Sequence, residues 1–205
     1  MSDTLAKDTV IQGLISYFEQ YVSISEEMKV HIVRECYIKI FAKNKFLSSP
    51  LEVLPPVYFL FSGAVRNFTR DCGEEVTTSL ILENNIVGLT LFSGRIGSEG
   101  KQYIQAIEET VVAVIPYKLF KILTILFPEM ELLVRKLLWK QYLEAEERNF
   151  IVRLPTSIKR IARLEEVFPH LCSRVALKHL ASFLAMRVET LSRLKSKRRY
   201  RAEKE

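Results

Sequence analysis

Apolar positions change their period several times along the chain, and each change marks a new kind of element. Val10, Ile11, Leu14, Ile15, Phe18 and Val22 recur at helical spacing. Ser23–Glu26 reads as a capping box, with Ser25 before Glu26 and Glu27 as a competing cap, so a second helix should run to about Cys36. From Tyr37 to Tyr117 the pattern becomes that of strands. Tyr37–Phe41 alternates, Val57–Phe61 is a continuous apolar run, and Ala64–Phe68 follows Ser62-Gly63. A turn at Arg70–Gly73 leads to a strand with Val76, Thr78, Leu80 and Leu82 on one face and Glu75, Thr77, Ser79 and Ile81 on the other. Glu83–Asn85 turns again, and Ile104–Ile107 and Thr110–Ile115 complete the set. Short strands at regular spacing predict a compact antiparallel sandwich or barrel.

Helical spacing then returns. Tyr117–Leu126 makes a short helix, and Pro128 suits the first turn of a long one reaching about Val152. At ~37 Å for about 25 residues, that helix is too long to bury against a small barrel. Part of its seam of Met130, Val134, Leu137 and Gln141 is therefore expected to meet a second copy of the chain, the alternative being a helix packed wholly within its own subunit. Pro155 stops it, Thr156 or Ser157 caps the next helix, and that helix ends at Phe168-Pro169. Val175–Leu194 follows as two short amphipathic segments. Leu177, Leu180, Ala181 and Leu184 form one apolar face, and Ala185-Met186-Arg187 is the turn. Glu189, Ser192, Arg193 and Ser196 line a polar face opposite Leu191 and Leu194. Periodicity alone leaves two readings, a helix-turn-helix or a pair of surface helices closing an ordinary core.

Composition narrows the choice. The chain has 205 residues, 48% hydrophobic and 26% charged, as in a globular protein. Its formal net charge is +6, and the end of the chain holds Arg193, Lys195, Lys197, Arg198, Arg199, Arg201 and Lys204. A basic cluster beside a helix-turn-helix suits a phosphate backbone. Cys36, Cys72 and Cys172 are widely spaced, which argues against a disulfide framework or a metal site. With no signal segment and no apolar run of about 20 residues, a cytoplasmic protein without membrane contact is expected. No nucleophile–base pair or phosphate loop is visible, so no enzyme is expected.

The order of elements resembles the Crp/Fnr family of bacterial transcription regulators, from about Ser25 to Lys197. Three stretches carry the resemblance. Phe59–Arg66 is similar to the family's apolar-glycine strand signature, Gln105–Thr110 with Val111–Ala113 to its closing strand pair, and His179–Arg193 to its helix-turn-helix. The last includes Glu189, Thr190, Leu191, Ser192 and Arg193 without a gap.

The resemblance implies an α+β fold. A cyclic-nucleotide-binding-like jelly-roll sensor would occupy 1–127, a dimerisation helix 128–154, and a helix-turn-helix domain with a short or absent wing 155–205. It implies a homodimer on pseudo-palindromic double-stranded DNA, with RNA polymerase as a further candidate partner. Glu189, Ser192 and Arg193 match positions that read base edges, and Val188 sits among them. Thr190, Lys195, Lys197 and Arg198 suit phosphates, and Lys178 and His179 would face the DNA backbone.

Departures from the family are equally specific. Ala185 stands where the family has its turn glycine, and Arg187 where it has a Ser or Thr cap. The effector pocket would involve Gly88, Leu89, Thr90, Arg95, Gly100 and Lys101. There, Gly88-Leu89 and Gly100-Lys101 replace the Gly-Glu and Arg-Ser pairs that hold ribose and cyclic phosphate. Cyclic AMP is thus expected to bind weakly or not at all, and no cofactor is expected. The iron–sulfur branch needs more cysteines than Cys36, and His31 is a lone histidine for the haem branch. The alternative function is a ligand- or protein-binding module with a vestigial helix-turn-helix.

Overall fold

A computed structural model describes residues 2–52, 54–89 and 102–202. Two helices lead: α1 (Ser2–Glu19) and α2 (Glu26–Glu35). The strands are β1 (Tyr37–Phe41), β2 (Phe46–Ser48), β3 (Val57–Ser62), β4 (Ala64–Asp71), β5 (Glu74–Leu82), β6 (Asn85–Val87), β7 (Gln102–Ala106) and β8 (Thr110–Ile115). Helices follow as α3 (Tyr117–Leu126), α4 (Pro128–Arg153), α5 (Ser157–Val167), α6 (Pro169–Arg174), α7 (Leu177–Phe183) and α8 (Val188–Ala202). Among the described residues no helix is long and apolar enough to cross a membrane.

The strands form two four-stranded sheets, ordered β1-β8-β3-β6 and β2-β7-β4-β5. In the first, β3 runs antiparallel to β8 with Val57 opposite Ile115 and Phe59 opposite Ala113. Strand alternation divides β3 and β8 between two cores. Tyr58, Leu60, Val112 and Val114 point to the barrel interior with Phe41, Val65 and Ile104. Val57, Phe59, Ala113 and Ile115 face the helices, against Leu14, Phe18, Met28, Leu119 and Leu133. Both faces of β3 are buried, which is why its sequence is an unbroken apolar run rather than an alternating one. The two leading helices thus cover one sheet. Of the two candidate caps, Ser25 takes the role: its hydroxyl accepts from Met28 N–H and donates to Glu129 Oε1 at 2.7 Å.

Two expectations need correction. On β5, Thr77 of the polar set is fully buried, while Val76 is 41% exposed. In addition, the α4 seam expected to meet a second copy faces the chain's own barrel. Met130 and Leu137 are buried in the helix-side core with Leu133, Val134 packs against it, and Gln141 donates to Ile86 O at 3.0 Å. The opposite side of α4 is the open one. Leu132, Trp139, Leu143 and Phe150 lie on it at i, i+7, i+11 and i+18, and all are exposed.

The chain divides into two compact units, Met1–Asn67 with Ile81–Tyr142, and Phe68–Leu80 with Leu143–Glu205. The division falls inside α4 rather than at Leu154, and the tip of the β4–β5 hairpin belongs with the C-terminal helices.

Candidate nucleic-acid interface

The second unit is built around α7, the turn after it, and α8. Leu180, Ala181 and Leu184 are fully buried, so the apolar face read from spacing is the packed face. The turn has the geometry of a helix-terminating motif. Met186 N–H bonds back to Ala181 O at 3.0 Å, and Ala185 N–H to Ser182 O at 3.2 Å. Between them Ala185 takes φ +50°, the left-handed conformation that glycine adopts without penalty. Alanine there costs about 1 kcal/mol. Arg187, the residue before α8, offers its carbonyl to Leu191 N–H but has no side-chain oxygen to cap the helix.

Leu191 anchors α8 at 1% exposure. Val188, Glu189, Ser192 and Arg193 are exposed on the first turns, and Thr190 is half-buried. The residues expected to read bases are therefore presented together on one helix. A carboxylate accepts from a cytosine amino group, and a guanidinium forks onto guanine. Lys178 is exposed as well. His179 is not available to a DNA backbone: it is only 6% exposed, buried on α7 along with Leu180, Ala181 and Phe183. Lys195 is engaged within the chain, donating to Cys172 O at 2.8 Å, so it ties α8 to α6. The side chains of Lys197 and Arg198 lie outside the described residues.

Four anchors have no sequence signal that singles them out. Ser182 Oγ accepts from Thr77 N–H at 2.9 Å and donates to Glu75 O at 3.2 Å, which fastens the β4–β5 hairpin tip to α7. Arg148 of α4 donates to Thr77 O at 3.1 Å and lies over the Phe183 ring, 5.0 Å from its centroid. Burial pushes the Arg148 pKa down from its ordinary value. Arg160 of α5 donates to Leu154 O, Leu184 O and Ala185 O. Arg163 joins α5 to α4 through Glu147 at 2.6 Å, with Glu166 beside it; Glu147 and then Glu166 raise its pKa.

Of the expected effector pocket, Thr90, Arg95, Gly100 and Lys101 lie outside the described residues. Gly88 is buried with φ +97°. Leu89 is 5% exposed and belongs to the helix-side core, so its side chain packs there instead of lining a ligand site. His31 is occupied by Arg34, 3.1 Å from Nδ1, and by an edge contact with Phe127.

No family model matches the chain. The chain is 26% identical over 167 residues to the transcriptional activator protein FnrA of Stutzerimonas stutzeri, covering 74% of this chain and 66% of that relative's length. A solved Crp/Fnr-family transcriptional regulator from Eubacterium rectale superposes with a TM-score of 0.71 at 15% identity, over 92% of this chain and 88% of that one. The c-di-GMP-responsive global regulator CLP of Xanthomonas campestris superposes at 0.67 with 15% identity, over 87% and 93%. The two superpositions are likenesses of fold, and the match to FnrA is a likeness of sequence. In sequence and in fold, then, the chain is similar to regulators of the Crp/Fnr family.

Proposed function

We propose that the chain is a sequence-specific DNA-binding transcription regulator that acts as a cytoplasmic homodimer. The observation that carries this reading is the presentation of Glu189, Ser192 and Arg193 on a helix anchored by the buried Leu191. Two such helices related by a two-fold axis would read a pseudo-palindrome with half-sites about one helical turn apart. The exposed apolar stripe of α4 supports the dimer. Leu132, Trp139, Tyr142, Leu143 and Phe150 leave one side of a 26-residue helix in water, and a second copy would bury it. RNA polymerase is the further partner a regulator of this kind would touch. The vestigial helix-turn-helix reading leaned on Ala185 and Arg187; the hydrogen bonds that hold the turn weigh against it.

The barrel, on this reading, takes no cyclic AMP in the usual way, and no cofactor is assigned. Support comes from Leu89, which stands where a ribose-binding carboxylate would be and is packed in the core. A buried phosphate without an arginine fork would be poorly compensated. Calorimetric titration should show no heat of cyclic AMP binding, and a micromolar affinity would overturn this.

Selection of bound sequences from random duplex DNA tests the main reading. A two-fold symmetric motif is expected, with affinity falling steeply as salt rises. Arg193→Ala should abolish preference for that motif and spare most non-specific binding. Unchanged preference in Arg193→Ala would remove α8 as the reading helix.

A further inference from the structure

We propose that Arg160 is a positioning residue for the recognition helix, holding the turn before α8 in the shape that presents Glu189, Ser192 and Arg193. The proposal rests on the reading that α8 enters DNA.

The turn has two weaknesses and one external support. Ala185 occupies a left-handed conformation, at φ +50°, that favours glycine. Arg187 gives the entry of α8 no side-chain acceptor, so the first N–H groups of that helix are not tied back to the turn by a cap. Both are weaknesses at the place that sets the direction of α8. The support comes from α5. Arg160 Nη1 donates to Leu184 O at 3.3 Å and to Ala185 O at 3.1 Å. These carbonyls end α7 and begin the turn, where helix geometry leaves acceptors without an intrahelical partner. Arg160 Nε donates to Leu154 O at 2.9 Å, one residue past the end of α4.

A single guanidinium therefore binds three backbone carbonyls from two segments 30 residues apart. Its planar fork is rigid, so fixing one edge on Leu154 fixes where the other edge meets the turn. The hydrogen bonds are charge-assisted and hold the strained Ala185 peptide from outside the turn. The direction of α8 is thereby referenced to the end of α4. Backbone carbonyls are present whatever the side chains are, which is why no residue pattern around Arg160 announces the contact.

The test uses the full chain as wild type, Arg160→Ala, Arg160→Lys and Arg160→Ala with Ala185→Gly. Wild type first selects its preferred duplex from random DNA. Affinities for that duplex and for a scrambled one are then compared. Arg160→Ala should lower the preferred-to-scrambled ratio at least tenfold and leave scrambled affinity within about twofold, because phosphate contacts on the surface persist. Arg160→Lys should fall between, since an ammonium reaches fewer of the three carbonyls. Adding Ala185→Gly should restore part of the ratio, because glycine holds the turn unaided. Without DNA, exchange of the Met186 amide should quicken about tenfold in Arg160→Ala. A ratio in Arg160→Ala equal to wild type overturns the proposal and leaves the DNA reading standing. Failure of wild type to select any sequence overturns the DNA reading and the proposal with it. Should Arg160→Ala not fold, Arg160→Lys decides: a reduced ratio supports the proposal and a wild-type ratio overturns it.

Discussion

Gly63 and Gly73 both adopt positive φ, at +96° and +87°, but they differ in what surrounds them. A Cβ on Gly63 would stand 2.5 Å from Glu109 O and 2.7 Å from Thr110 Cα, backbone atoms that cannot step aside. A Cβ on Gly73 would meet nothing within 4 Å. Gly63→Ala should therefore destabilise by about 3 kcal/mol, from overlap added to strain, and Gly73→Ala by about 1 kcal/mol, from strain alone. Urea midpoints of the two variants check this; equal shifts would contradict it. The cysteines divide in a similar way. Burial, and then the neighbouring Glu35 carboxylate, push the Cys36 thiol up from its ordinary 9.0 to about 12, while Cys72 is exposed. The folded chain keeps this thiol neutral longer than the unfolded chain does. Its contribution to stability is whole below pH 9.0 and drains away as pH climbs toward 12. Alkylation at mildly alkaline pH should modify Cys72 at the rate of a free thiol and Cys36 only after urea unfolds the chain. Nothing in the sequence separates the two glycines or the two thiols, because the difference is made by neighbours distant along the chain.

Among the elements, the β4–β5 hairpin shows how tertiary contact overrides strand alternation. Period-2 reading groups Thr77 with Glu75 and Ser79 on a polar face, yet Thr77 is buried and bonded through both its N–H and its carbonyl. Ser182→Ala would leave the Thr77 N–H buried without its acceptor, at about 1–3 kcal/mol. The expected signs are a lower melting temperature and faster exchange of the Thr77 amide; unchanged exchange would show that the hairpin is held by other groups. Arg148→Lys should be damaging too, since an ammonium cannot both reach Thr77 O and cover the Phe183 ring as a guanidinium does. Helix caps were more legible, because they depend on neighbours in sequence. Ser25 and Thr156 cap α2 and α5, each accepting from the N–H three residues on.

For the molecule as a whole, α4 has two apolar sides, one packed in the core and one exposed. Spacing locates the seam of Met130, Val134 and Leu137, but spacing carries no information about whether the partner lies in the same chain. If the outer side is the dimer contact, Trp139→Glu and Leu143→Glu should each convert the folded protein to monomer in sedimentation. Leu137→Ala should lower stability by about 2–5 kcal/mol, and the protein that remains folded should still associate. Monomers from Leu137→Ala alone, with dimers persisting in Trp139→Glu, would return the contact to the inner seam.

The amino-acid sequence by itself determined most of the elements in order, the strand-rich middle of the chain and the apolar face of α7, but not the short β2, β6 and α6. It also determined the polar face Glu189, Ser192 and Arg193. These follow from propensity, periodicity and capping, which act over a few residues. Only the tertiary structure decided that His179 is buried, that Lys195 serves α6, and that the inner seam of α4 belongs to the barrel. It alone brought Ser182 to the hairpin and Arg160 to the turn. Each of these joins residues far apart in the chain, often through a backbone carbonyl or N–H that every residue carries. Such groups leave no trace in a one-dimensional pattern.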